Sequence, residues 1–108
     1  MKLFPCDYLN SNVEMTEERA EHIAERHPEL LPDHEKLIAE TLAEPDQIRR
    51  SPRFGNARLF TRWYTDLRRG KYVVAVVVSE RSPNERHWIV TAYLTGKMVK
   101  GIVEWERN

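Results

Sequence analysis

The apolar run Val-Val-Ala-Val-Val-Val at residues 73–78 constrains the fold more than any other feature of the sequence. Side chains alternate between the two faces of a strand, so a strand that is apolar at every position must be covered on both faces. The polar segment before it, which contains Gly70, is typical of a turn. The sequence therefore predicts that residues 72–79 form a central strand of a sheet.

A second strand is predicted at residues 87–95, after a polar turn at 80–85, and the two strands are expected to pair antiparallel. Alternation gives this strand one face that is half polar, formed by His87, Thr91, Tyr93 and Thr95. An imidazole, a phenol and hydroxyls can exchange protons or hold a phosphate oxygen, as a reactive or anion-binding surface requires. The alternative is that Thr and Tyr are simply good strand formers.

Two helices are predicted before these strands. The first is expected at residues 17–27, where the Thr16 hydroxyl can cap a free backbone N–H and Pro28 stops the helix. Its apolar stripe turns His27 toward the sheet and leaves His22 on the opposite side. The second helix is expected to begin with Asp33 as its cap and to end before Pro45. Its buried side is formed by Leu37, Ile38, Thr41 and Leu42.

From residue 46 onward the hydrophobic period changes to two, which predicts strands at residues 47–50 and 57–64 and a short final strand or tail after residue 100. Residues 1–15 are expected to form an N-terminal arm or edge strand. The sequence thus predicts a single α+β domain over residues 16–108. Its two N-terminal helices would pack on one face of a twisted antiparallel sheet of four to five strands.

One face of the predicted strand at 57–64 interleaves cations with aromatic rings. Arg58, Phe60, Arg62 and Tyr64 lie on that face. Guanidinium groups bind phosphates and rings stack on bases, so the pattern is typical of a nucleic-acid surface. The alternative is that the arginines cover exposed aromatic rings with their aliphatic parts.

The charges divide the chain into two halves. Residues 1–48 hold 12 acidic and 4 basic side chains, whereas residues 49–108 hold 5 acidic and 13 basic ones. This asymmetry indicates a polyanionic partner for the basic half, unless the two halves neutralise each other within the fold. The single cysteine excludes an intramolecular disulfide, and no stretch resembles a signal peptide or a membrane span. We therefore expect a cytoplasmic protein.

Several kinds of chemistry find little support. His22 and His27 are five residues apart, whereas a helical chelate needs a spacing of three or four, so no metal site is expected. The four glycines form no phosphate-binding loop. A Ser/His/Asp triad stays open, although no nucleophile-elbow sequence supports it. Metal-free acid–base cleavage of RNA remains, since it needs only an imidazole, a hydroxyl and a cation, and no cofactor.

Three segments carry a resemblance: residues 21–29, which include the RHPE motif, residues 40–48, and residues 88–93, which include the TAY motif. Together they resemble the small phage- and toxin-associated domains grouped with the barnase, EndoU, colicin and RelE nucleases. The resemblance extends from residue 16 to about residue 105. It implies two helices before a four-stranded antiparallel sheet, and metal-independent endoribonuclease activity.

The resemblance also implies roles for individual residues. A histidine on the leading helix would be His27 or His22, a basic residue on a middle strand would be Arg58 or Arg62, and a late-strand hydroxyl would be Thr91 with Tyr93. The residues expected to contact nucleic acid are Arg58, Arg62, Tyr64, His87 and Lys97. The expected partner is RNA, either tRNA or rRNA, and a cognate inhibitor protein is a possible second partner. No membrane partner is expected, and the oligomeric state is open. The alternatives are a nucleic-acid-binding module without activity and a protein-interaction domain of a phage or toxin system.

Overall fold

The computed structural model describes residues 1–108 and contains seven strands and two helices. The strands are β1 (Lys2–Cys6), β2 (Ser11–Met15), β3 (Gln47–Arg50), β4 (Ala57–Tyr64), β5 (Lys71–Glu80), β6 (Arg86–Thr95) and β7 (Ile102–Glu106). The helices are α1 (Glu17–Arg26) and α2 (Glu35–Ala43). Neither helix has the length and apolar character that crossing a membrane requires.

All seven strands form one sheet in the spatial order β1-β2-β6-β5-β4-β3-β7. The pair of β2 with β6 is parallel, whereas all other neighbours are antiparallel. The predicted fold, with two helices on an antiparallel sheet of four to five strands, is therefore wrong. The sheet is mixed, and strands hold 44% of the residues against 18% in helices. Local patterns could not predict the parallel pair, because it brings Glu14 beside Trp88 from a distant part of the chain.

Residues 1–15, predicted as an arm or edge strand, form the β1–β2 hairpin at one edge of the sheet. Asn10 ends its turn with a φ of 53°, in the left-handed region that Asn tolerates better than most residues. At the tip of the hairpin, the ring of Tyr8 lies 6.2 Å from Phe60 and 6.3 Å from Trp105. Because Trp105 lies in β7 at the other edge, the sheet is curled so that its two edges meet.

The start of α1 is confirmed. The Thr16 hydroxyl accepts a hydrogen bond of 3.1 Å from the backbone N–H of Arg19, which satisfies one of the free donors of the first turn. The helix ends at Arg26, one residue before the predicted end, and His27 is its C-cap. The helix packs against β6 and buries Ile23.

The predicted cap of α2 is wrong, although its buried face is confirmed. His34 rather than Asp33 occupies the cap position, and its side chain makes no capping hydrogen bond. A turn in which the His34 N–H donates to the Leu30 carbonyl at 2.9 Å moves the start by one residue. The helix lies across β1, β4 and β5. Its buried residues are Leu37, Ile38, Thr41 and Leu42.

The hydrophobic core fills the space between α2 and the concave, inner face of the sheet, and it is a single cluster of 17 buried residues. The central position of β5 is confirmed, since it lies between β4 and β6. Val73, Ala75 and Val77 point into this core, and Val74 is fully buried on the outer face. Val76 and Val78, also on the outer face, are only half-buried, so the expected cover on both faces is complete on the inner face and partial on the outer one.

A β-bulge in β6 changes which of its side chains share a face. The register between β5 and β6 shifts by one residue at Val90, which has no cross-strand partner. His87 therefore lies on the inner face, whereas Thr91 and Tyr93 lie on the outer face. The predicted grouping of His87 with Thr91 and Tyr93 is wrong, because it assumed uninterrupted alternation.

Candidate functional site

An open cleft of about 540 Å³ lies where β5 turns into β6. The tip of the β1–β2 hairpin and the start of β4 complete its walls. Six of its seven lining side chains carry polar or ionisable groups, and the full set is Tyr8, Leu9, Arg58, Ser79, Arg81, Glu85 and His87. A concave surface that gathers proton donors, acceptors and cations is a candidate reactive site.

The imidazole of His87, which is only 4% exposed, lies in the wall of the cleft. Its Nδ1 lies 2.6 Å from the Ser79 hydroxyl oxygen, and its Nε2 lies 2.9 Å from a carboxylate oxygen of Glu85. Antiparallel pairing places His87 directly opposite Ser79 on the inner face, and Glu85 is two residues earlier in the turn. The ring thus contacts a half-buried hydroxyl on one side and a carboxylate that is 61% exposed on the other.

The two hydrogen bonds of His87 fix its neutral tautomer. An ionised carboxylate can only accept, so the Nε2 that faces Glu85 carries the hydrogen. The unprotonated Nδ1 is then the acceptor, and the hydroxyl of Ser79 donates to it. The proton of Ser79 is therefore directed at a base.

Two guanidinium groups adjoin this chain of hydrogen bonds. Arg58 donates from Nη1 to the Ser79 oxygen over 3.4 Å and from Nε to Glu104 over 2.6 Å. Arg81 is exposed and lines the cleft. Arg58 is paired with Glu104, whereas Arg81 forms no ion pair and is the free positive charge of the cleft.

Glu104 fixes the positions of two side chains in the cleft wall, Tyr8 and Arg58. Its carboxylate accepts hydrogen bonds from the Tyr8 hydroxyl at 2.6 Å and from Arg58 and Arg50. Burial opposes its ionisation, but the hydrogen bonds from Tyr8 and Arg58 keep the pKa of Glu104 below its ordinary value. Burial and the bond to this carboxylate raise the pKa of Tyr8. Arg58 and Tyr8 are therefore fixed by one ion network.

Two of the residues predicted from the resemblance come together elsewhere. The rings of His27 and Tyr93 lie 5.9 Å apart at the end of α1, and His27 Nδ1 is 3.5 Å from a carboxylate oxygen of Glu29. Burial raises the pKa of Tyr93. Thr91 lies on the same outer face of β6.

The remaining predicted residues lie apart from that pair. Arg62 is on the inner face of β4, donates to the Glu44 carbonyl over 2.7 Å and covers the ring of Tyr64. The Tyr64 hydroxyl in turn donates to Glu40 on α2 over 2.8 Å. The strand face predicted to bind nucleic acid therefore packs toward α2. His22 is half-exposed on α1, and Lys97 is exposed in the loop after β6.

The structure thus brings together Arg58 and His87 from the predicted set, and joins them to Ser79, Glu85, Arg81 and Tyr8, which the sequence did not single out. One signal could have found Ser79. Pairing the two strands around the turn at 80–85 places the last residue of one predicted strand opposite the first residue of the next. Tyr8 has no such signal, because curling of the sheet brings it to the cleft.

Comparison of the chain with protein-family models, curated proteins and solved structures found no match.

Proposed function

We propose that the protein is a metal-independent endoribonuclease of the cytoplasm and that the cleft around His87 holds the scissile phosphate. The observation that carries the proposal is the imidazole held between a hydroxyl and a carboxylate, at 2.6 and 2.9 Å, beside the guanidinium of Arg58. Cleavage of RNA by its own 2′-hydroxyl needs a base, an acid and positive charge at the phosphate. All three are within one cleft.

The catalytic role of each residue is assigned from how exposed its side chain is and what it contacts. The exposed carboxylate of Glu85 takes the proton of the 2′-hydroxyl as that oxygen attacks phosphorus. Protonated His87 donates from Nδ1 to Ser79, and the Ser79 hydroxyl passes its own proton to the departing 5′-oxygen. Arg81 and Arg58 face the phosphate and stabilise the charge that develops on its oxygens.

The test is cleavage of total RNA by the purified protein in the presence of EDTA, followed on a gel. We expect Glu85→Gln and His87→Gln each to slow cleavage about 100-fold or more, since a general acid or base contributes about 10²- to 10⁴-fold. Glu80→Gln is the matched control, because Glu80 is an exposed carboxylate outside the cleft. It should cleave like the unmodified protein.

Replacing His27 with Ala separates the cleft from the site that the resemblance implies. Loss of cleavage in His27→Ala, with full cleavage by Glu85→Gln and His87→Gln, would move the reaction to the pair of His27 and Tyr93. Absence of any cleavage by the unmodified protein would overturn the proposal.

A second candidate function is binding of nucleic acid without cleavage. The observation that favours it is a group of cations in the β4–β5 turn, at the start of β5 and directly after β6, at the end of the sheet away from the cleft. The ammonium group of Lys71 lies beside Gly96, so these segments adjoin. Trp63, which is 41% exposed, lies at the same end. The cations are Arg68, Arg69, Lys71 and Lys97.

Salt dependence tests this second candidate. Each phosphate contact to a single strand contributes a slope of about −0.7 to a plot of log affinity against log salt. Replacing Arg68 and Arg69 with Ala should flatten that slope by more than 1, whereas Lys36→Ala, at an exposed position on α2, should leave it unchanged. Salt-sensitive binding without RNA products would favour this function over cleavage, and salt-insensitive binding would contradict it.

A further inference from the structure

We infer that Ser79 is an activated nucleophile and that the cleft hydrolyses small carboxylic esters that carry a negative charge. The inference goes beyond cleavage of RNA, in which the attacking oxygen belongs to the substrate. It rests on the unbroken chain of contacts from the Ser79 hydroxyl through His87 to Glu85.

The first step in its favour is the direction of the proton on Ser79. The tautomer of His87 is set by Glu85, so Nδ1 is free to take a proton from the hydroxyl oxygen 2.6 Å away. The same carboxylate stabilises the imidazolium that results. A serine hydroxyl needs such a base, because at neutral pH it is otherwise a weak nucleophile.

The second step is the cation beside the nucleophile. Arg58 Nη1 lies 3.4 Å from the Ser79 oxygen, so it adjoins the position where the oxyanion of a tetrahedral intermediate would form. The guanidinium is held there from behind by Glu104, and the Arg58 side chain is only 17% exposed. A fixed charge of this kind needs little reorganisation during the reaction.

The cleft also indicates the class of substrate. Its volume of about 540 Å³ suits a small molecule, and it is open to solvent on the side of Glu85. The exposed guanidinium of Arg81 in its wall favours a negative charge on the substrate. We therefore assign short esters with a carboxylate or phosphate substituent.

The reaction proceeds in two halves. The Ser79 oxygen forms a bond to the carbonyl carbon while its proton moves to His87 Nδ1, and the bond to the leaving oxygen then breaks as that oxygen takes the proton. The oxygen of a water molecule then bonds to the acyl carbon while one of its protons moves to His87 Nδ1. The bond from the acyl carbon to the Ser79 oxygen breaks as that oxygen takes the proton back from His87, which releases the free acid. The net change is ester plus water to acid plus alcohol.

A fluorophosphonate probe tests the nucleophile directly, without RNA. The Ser79 oxygen would bond to phosphorus as fluoride leaves, and mass spectrometry of the digested protein would locate the adduct. We expect labelling at Ser79, none in Ser79→Ala, and labelling about 100-fold slower in His87→Gln, the lower range for loss of a general base. Ser82→Ala is the control, since Ser82 is an exposed serine of the same turn and outside the cleft.

A second variant guards against misfolding of His87→Gln. In Ser79→Cys the new thiol should react with iodoacetamide faster than the new thiol of Ser82→Cys, although Ser82 is the more exposed of the two positions. The difference should vanish when the protein is unfolded in urea. Absence of an adduct on Ser79, or equal labelling rates with and without His87, would overturn the inference. RNA cleavage is measured separately on a gel, so the labelling of Ser79 can fail while RNA cleavage is observed, and the reverse.

Discussion

Replacing Glu104 with Gln perturbs the network that joins the two edges of the sheet to the cleft. The carboxylate accepts hydrogen bonds of 2.6 Å from Tyr8, 2.6 Å from Arg58 and 2.8 Å from Arg50. Removing one partner of a well-buried ion pair costs about 3–5 kcal/mol. The Arg50 side chain is 37% exposed, so solvent screens part of this loss. We expect a decrease of about 2–3 kcal/mol in the free energy of unfolding at pH 7.

The pH dependence of this loss has a definite sign. Burial raises the pKa of Glu104, but the hydrogen bonds from Tyr8 and Arg58 outweigh it, so the folded pKa lies below the ordinary value of 4.5. A carboxyl with a lowered folded pKa contributes stability that is present above its unfolded pKa and is lost as pH falls through the folded pKa. The unmodified protein and Glu104→Gln should therefore converge in stability as the pH falls below 4.5.

Urea unfolding followed by circular dichroism at pH 7 and pH 3 measures both effects. Glu106→Gln is the matched control, because Glu106 lies in the same strand, is exposed, and accepts one hydrogen bond of 2.6 Å from Gln47. The free energy of unfolding of Glu106→Gln should be within about 0.5 kcal/mol of that of the unmodified protein. Equal losses for the two variants at pH 7, or a deficit of Glu104→Gln as large at pH 3 as at pH 7, would refute the reasoning.

Three further variants test local features. Gly70→Ala should lose about 2 kcal/mol in urea unfolding, because φ is +99° and the new Cβ would overlap the indole ring of Trp63, whereas Gly55→Ala, with no atom within 4 Å, should lose much less. Thr16→Ala removes the cap of α1 and should lose about 1 kcal/mol in thermal unfolding; an unchanged melting temperature would contradict this. Burial and the Glu40 carboxylate raise the pKa of Tyr64 to about 12, so the highest step of a phenol absorbance titration should disappear in Tyr64→Phe.

The sequence by itself determined those elements whose cause is local. The Thr16 cap is a contact between residues three positions apart, and the buried stripe of α2 follows from the helical period. The central strand follows from a run that is apolar on both faces. In each case the pattern and the structure that it produces lie in the same few residues.

The tertiary structure decided the sheet and the site. A single bulged residue, Val90, placed His87 on the inner face, and no local pattern marks a bulge of this kind. The parallel pair of β2 with β6 and the curl that brings Tyr8 to Glu104 join residues from opposite ends of the chain. Such contacts form because they complete one shared core and satisfy buried charges, and these requirements belong to the whole fold rather than to any one segment.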